Sequence, residues 1–315
     1  MIRKFSRIFV LVLCIICMLF VSVQAASGAP NWVTELETGE KVIPPTPEEK
    51  AEMEALEKWR EEKNTIKVPI LLYHHITEES FDEDKAISLI SPSDFRLHMT
   101  AIKTNFTPIS LRQYYEYVMC DDGSVTIPKN PIIVTFDDGY LSNYEIAYPI
   151  LKELEIPATI FVVTDTVGAI AGEGKVNNSH FSWEQAREME NSGLIDIQSH
   201  TVNHVRVAEL PFAEQIRQLR KSKYDIEKNL GRACDMIAYP YGDYDESVRR
   251  AARNAGYKVQ LLVDDKTTED AYDVNIPSEG VESLTRMTVA GSMGNVNVIE
   301  IVRHTMNKKK INTKQ

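Results

Sequence analysis

Asp137 and Asp138 are neighbouring carboxylates directly after the apolar run PIIVTF, and His200 and His204 follow the run LIDIQS at a four-residue spacing. Two adjacent acids repel unless something positive lies with them, and a metal ion meets that need. A His-x-x-x-His spacing puts two imidazoles on one side of a helical turn, a donor set that suits zinc or another borderline divalent cation. One carboxylate and two imidazoles leave coordination positions open for water and substrate, as catalytic sites require. Each string also has a plain alternative. Asp-Asp-Gly makes an ordinary turn with glycine at positive φ, and a histidine pair can arise by chance in a chain with seven histidines.

Two further strings lie where strands should end. In AYPYGDY, residues 238–244, Pro240 fixes the chain and Gly242 permits an unusual turn, so a backbone N–H near Tyr241 could be held as an oxyanion donor. A simple strand-ending turn reads equally well there. In LLYHHIT, Tyr73 is followed by His74 and His75. Successive side chains on a strand point opposite ways, so at most one of these histidines faces a common site.

The elements that must carry these groups alternate in type. VPILLY (68–73), PIIVTF (131–136), ATIFVV (158–163), LIDIQS (194–199), DMIAY (235–239) and VQLLV (259–263) read as buried strands. Helical patterns fall between them at about 92–104, 109–119, 141–155, 183–192, 211–230 and 245–256, with a capping box at Ser182 and Gln185. Such alternation implies an α/β protein whose parallel strands are joined by helical crossovers, either an open doubly wound sheet or a barrel. In both, functional groups gather at the C-terminal ends of strands.

The 315 residues carry 35 Lys and Arg against 46 Asp and Glu, a formal charge of −11, which argues against nucleic acid or an anionic membrane surface as a non-specific partner. Arg3, Lys4 and Arg7 precede an apolar stretch at 8–23 and a Val-x-Ala ending at Ala25. This reads as a secretory signal over 1–25, or as an N-terminal membrane anchor through residues 8–23 if it stays uncleaved. Either way the remainder is secreted or extracytoplasmic. Cys14 and Cys17 belong to that segment, and Cys120 and Cys234 form either one disulfide or two buried thiols. Residues 26–66 read as a linker and a charged helix capped by Thr46, Pro47 and Glu49, residues 67–308 as the catalytic domain, and 309–315 as a basic tail.

Together TFDDG, SHTVNH and YPYG, in that order and at strand ends, resemble the NodB-homology polysaccharide deacetylases, carbohydrate esterase family 4. The resemblance implies an incomplete (β/α)7 barrel with parallel strands that hydrolyses N-acetyl groups of glycans. It makes Asp137 the catalytic base, Asp138, His200 and His204 the ligands of a divalent metal, most simply Zn2+, and the Tyr241 backbone the oxyanion donor. LLYHHI is similar to the permuted branch of that family, typified by deacetylases of exported poly-β-1,6-N-acetylglucosamine, and there it implies that His74 is the general acid. Many members carry an Arg where this chain has Ala238. The strand-like segment SLTRMTV offers Arg286 to orient the base instead. A fourth Asp-rich motif is not recognisable, with only Asp264 and Asp265 in its neighbourhood. The expected substrate is an N-acetylglucosamine polymer, poly-β-1,6-N-acetylglucosamine first and peptidoglycan second. The opposing expectation is a catalytically weak glycan-binding wall protein.

Overall fold

The computed structural model describes residues 46–77, 89–170, 178–263, 274–289 and 298–307. The expected signal or anchor, the linker up to residue 45, Asp264, Asp265 and the tail at 309–315 lie outside them. The chain divides into two units, Met1–Ala55 and Leu56–Gln315. Helix α1 (Pro47–Lys63) begins in the first, where the Glu49 N–H donates to Thr46 Oγ1 and the Thr46 N–H to Glu49 Oε2, the expected reciprocal cap. No helix among the described residues is long and apolar enough to cross a membrane.

The second unit carries the fold. Short strands β2 (His75–Ile76) and β3 (Leu89–Ile90) pair with each other, and β4 (Thr107–Pro108) pairs with β5 (Pro131–Asp138). The principal sheet adds β1 (Ile70–Tyr73), β6 (Ala158–Val162), β7 (Ile195–Ser199), β8 (Met236–Ala238), β9 (Val259–Leu261) and β10 (Met287–Thr288). Its order is β10-β1-β5-β6-β7-β8-β9, every pairing parallel. These seven strands curl into an open half-barrel, the incomplete (β/α)7 architecture expected from the sequence. The rim between β9 and β10 is bridged in part by the described residues 281–286. The Gln260 and Leu262 N–H groups donate to Val281 and Leu284 carbonyls, and three residues after Arg286 the Val289 N–H donates to Leu72 of β1.

Crossover helices α2 (Pro92–Asn105), α3 (Leu111–Met119), α4 (Tyr148–Leu154), α5 (Trp183–Asn191), α6 (Phe212–Leu230) and α7 (Glu246–Ala255) follow the sequence reading within a few residues, and α8 (Val298–Asn307) adds to it. Side-chain caps start several of them. Ser91 accepts from the Asp94 N–H, Asp245 from Val248, and Ser110 and Ser182 each complete a capping box. Only the 141–155 pattern departs in kind, since it opens with a π-helical turn at Asn143–Ala147.

Strand alternation sorts the buried residues into two layers. Ile132, Val134 and Phe136 of β5 face outward to the helices with Ile160 and Ile197, while Ile133 faces the interior with Phe161, Met236, Val259 and Leu261. Thr135 and Asp137 share the inward face of Ile133, and the register sets Asp137 beside Phe161, which in turn pairs Gln198. Each fully buried Ile, Leu or Phe stabilises by about 1.5–3 kcal/mol. That apolar interior offsets the cost of holding charged groups near the mouth. Cys120 and Cys234 are both buried free thiols.

Candidate functional site

The C-terminal strand ends bring together side chains from five separate stretches of sequence. Asp137 is the last inward residue of β5 and is 1% exposed. Both its oxygens are taken by one guanidinium: Arg286 Nη1 donates to Oδ1 at 2.6 Å and Nη2 to Oδ2 at 2.7 Å. Arg286, itself fully buried, also donates Nε–H to the Leu262 carbonyl at 2.9 Å and lies 5.5 Å from the Phe161 ring centre. Its side chain is thus fixed at three points. Burial alone would raise the Asp137 pKa, but the Arg286 charge, then His200 and His74, hold it down at about 2.

Asp138 ends β5 in the left-handed region, φ 71°, and both carboxylates approach His200 Nε2, Asp137 Oδ2 at 3.7 Å and Asp138 Oδ1 at 3.6 Å. Gly139 follows at φ 77°, and a Cβ there would lie 2.9 Å from Val162 Cγ1, so the turn requires glycine. The Asp138 Oδ1 atom is 3.6 Å from His200 Nε2 and 3.4 Å from His204 Nε2. One ligand atom from each of the three lies within 4.8 Å of the others. Among the described residues Asp138 Oδ1 is buried with no hydrogen-bond partner. A carboxyl oxygen orphaned between two imidazole nitrogens fits a cation, and its desolvation is otherwise uncompensated.

The two histidines reach this point by different routes. His200 directly follows β7, and its Nδ1 lies 2.8 Å from the Ala238 carbonyl, an acceptor that fixes the Nδ1–H tautomer and leaves the Nε2 lone pair free. His204 does not sit on a helical turn, as its spacing suggested. Residues 201–204 form a compact non-helical turn with Thr201 at φ 72° and His204 at φ 56°, and the ring centres are 5.0 Å apart. With Asp138 and Tyr241 at φ 61°, four of the five non-glycine residues at positive φ among the described residues lie in this one place. Such conformations cost about 1–3 kcal/mol each and persist where surrounding structure imposes them.

Tyr241 occupies the Pro-Tyr-Gly turn after β8. The turn's bonds run from the Gly242 N–H to Tyr239 and from Asp243 to Pro240, so neither uses the Tyr241 N–H. Its side chain has a role that sequence reasoning missed. The hydroxyl lies 3.2 Å from His204 Nδ1, and the ring, 49% exposed, is covered on one side by the Arg206 guanidinium at 4.2 Å. Arg206 is in turn paired with Asp243. Neither Arg206 nor the Tyr241 ring carries a spacing signal that would mark it.

His74 lies between β1 and β2, partly buried, its Nδ1 without a hydrogen-bond partner among the described residues. His75 points elsewhere. It is buried, its Nδ1 is 2.7 Å from Ser142 Oγ, and its ring packs 4.8 Å from that of Tyr140. Burial, and then the charge of His180, lowers its pKa to about 4, so it is neutral at ordinary pH.

The family model described as polysaccharide deacetylase matches residues 124–260. The putative polysaccharide deacetylase YxkH of Bacillus subtilis is 28% identical over 264 residues, covering 81% of this chain and 86% of the relative. The poly-β-1,6-N-acetyl-D-glucosamine N-deacetylase of Staphylococcus aureus is 33% identical over 159 residues, 48% of this chain and 54% of that one, so the match spans about half the length of that relative. Among solved structures, the Streptococcus pyogenes deacetylase PplD in complex with acetate aligns with a TM-score of 0.62 at 25% identity, over 77% of this chain and 99% of that one.

Proposed function

We propose that this chain, which carries a polysaccharide deacetylase domain, removes N-acetyl groups from an extracellular N-acetylglucosamine polymer, poly-β-1,6-N-acetylglucosamine first. The reading is carried by one observation: the convergence of Asp138, His200 and His204 beside a carboxylate clamped by Arg286. The Staphylococcus aureus relative bears that substrate in its name, and the signal-like residues 1–25 suit a substrate met outside the cytoplasm.

Asp138, His200 and His204 would hold a divalent cation, Zn2+ in our reading, whose chemistry is Lewis acidity toward the acetyl carbonyl and water. Asp137 takes the proton from the attacking water. The Arg286 fork keeps that carboxylate ionised and fixes its direction, at some cost in basicity. The Tyr241 N–H donates to the oxyanion of the tetrahedral intermediate. His74 gives its proton to the departing amine, and the products are acetate and a free glucosamine unit.

Acetate release from poly-β-1,6-N-acetylglucosamine oligomers and from peptidoglycan fragments, with and without chelator, tests the reading. Chelator-sensitive release from the first supports it. Release from peptidoglycan alone moves the substrate to the second choice. Release from neither by metal-loaded protein leaves a glycan-binding protein in place of an enzyme.

A further inference from the structure

The segment directly after Asp137-Asp138-Gly139 clasps the segment that carries His74. Three residues make the contact. Tyr140 lays its ring against His75, Ser142 Oγ accepts the Ile76 N–H at 3.1 Å and meets His75 Nδ1 at 2.7 Å, and Asn143 Nδ2 donates to the His74 carbonyl at 2.7 Å. His74 is therefore held through its own carbonyl and through both residues that follow it.

Two features set this apart from ordinary packing. Ser142 has helical backbone, φ −61° and ψ −23°, directly before the π-helical turn Asn143–Ala147, and its side chain makes no capping bond there. Its hydroxyl goes across to the His75-Ile76 backbone and ring instead. Asn143 is fully buried, and its Oδ1 has no partner among the described residues, so only the donor half of the amide is used and that half goes to His74. A buried amide with one unsatisfied atom carries an uncompensated desolvation cost, and a π-helical turn is itself the less favourable geometry.

We propose that Ser142 and Asn143 are positioning residues for His74, with His75 serving as their anchor. One continuous stretch, residues 137–143, would then hold the proton acceptor, a metal ligand and, through the clasp, the proton donor in a single frame. The proposal rests on the role given to His74 above, and the test separates the two.

The full chain, labelled with 13C and 15N at histidine, is titrated by NMR with and without Zn2+, and His74 is assigned by the signal missing from His74→Gln. Asn143→Ala is expected to shift or broaden the His74 resonances and move their titration midpoint. It should lower kcat at least tenfold with KM and Zn2+ affinity unchanged, and move the alkaline limb of the pH profile in step with the NMR midpoint. Ser142→Ala should do the same more weakly, and Ser142→Thr, which keeps the hydroxyl, should restore much of the loss. If Asn143→Ala fails to fold, the Ser142 pair carries the test. An unchanged His74 titration in the folded variants overturns the proposal. So does a loss of Zn2+ affinity, or an equal fall in kcat when the same change is made in His74→Ala. Should the wild-type protein release no acetate from any glycan, the deacetylase reading fails, while the His74 titration still decides the clasp.

Discussion

Arg286 and Asp137, 149 residues apart in sequence, meet as a two-point fork in which each guanidinium nitrogen serves one carboxylate oxygen and neither residue reaches solvent. Ala238 supplies its backbone carbonyl to His200.

Removing the guanidinium leaves a buried carboxylate without its charge partner. Arg286→Ala is expected to cost about 3–5 kcal/mol of stability, measured by urea unfolding at neutral pH. The pH dependence has a definite sign. The folded pKa of Asp137, about 2, lies below the ordinary aspartate value of 3.8, so its contribution is fully present above pH 3.8 and is lost as pH falls toward 2. In Arg286→Ala burial dominates and the pKa rises above its ordinary value, so the variant should gain stability as acid protonates that carboxyl. Its activity should fall off at a higher pH on the acid side. Arg286→Lys keeps the charge but loses the fork and should lie between.

Chelation should abolish acetate release and lower the melting temperature together. A cation present at 100 times its Kd stabilises the folded state by about 2.7 kcal/mol. Asp138→Ala and His200→Ala should lose that increment and the bound metal, as measured by metal analysis after gel filtration. Asp137→Asn should keep the metal and lose turnover; metal loss there would exchange the parts assigned to the two aspartates.

His74→Ala should lower kcat by about 10²–10⁴, the range for removing a general acid, with metal content unchanged. The alkaline fall in rate should flatten, because the group whose deprotonation causes it is gone. Steady-state rates across pH, on a substrate with the natural amine leaving group, read both effects.

Tyr241→Phe removes one hydroxyl and leaves the backbone N–H in place. Since that hydroxyl meets His204 Nδ1, metal affinity should fall by about 10–100-fold, as for other partners that orient a ligating histidine. Competition with a chromophoric chelator measures it. An unchanged affinity would make the tyrosine ring a surface feature only.

Most of the frame could be read from local pattern. β-Branched runs marked β5, β6 and β7, and a serine cap marked the start of α5, because both signals depend on near neighbours. The same holds for placing Asp137, Asp138 and His200 at strand ends. What escaped the pattern has non-local or conformational causes. β10 has only two residues and no periodicity, so Arg286 was named through resemblance, and its contact with Asp137 exists only once the sheet has curled. The His200 to His204 spacing suggested a helical turn, but Thr201 and His204 adopt left-handed backbone that residue type does not announce. Ser142 and Asn143 look like the opening of an ordinary helix, and only the π-helical turn reveals where their side chains go.

The bridge across the open rim places a late step of assembly at the chemical centre. Asp137 is in place once β5 finds β1 and β6, but its counter-charge arrives with the segment that links β9 to β10. A chain stalled before that segment docks would carry a buried carboxylate with every reason to take up a proton, and a protonated Asp137 cannot deprotonate water. On the role proposed for Asp137, the polypeptide would stay inert toward any glycan it met until the last part of the barrel had folded. Completion of the fold and the onset of hydrolysis would then be one event, a safeguard against a half-made enzyme acting on its substrate.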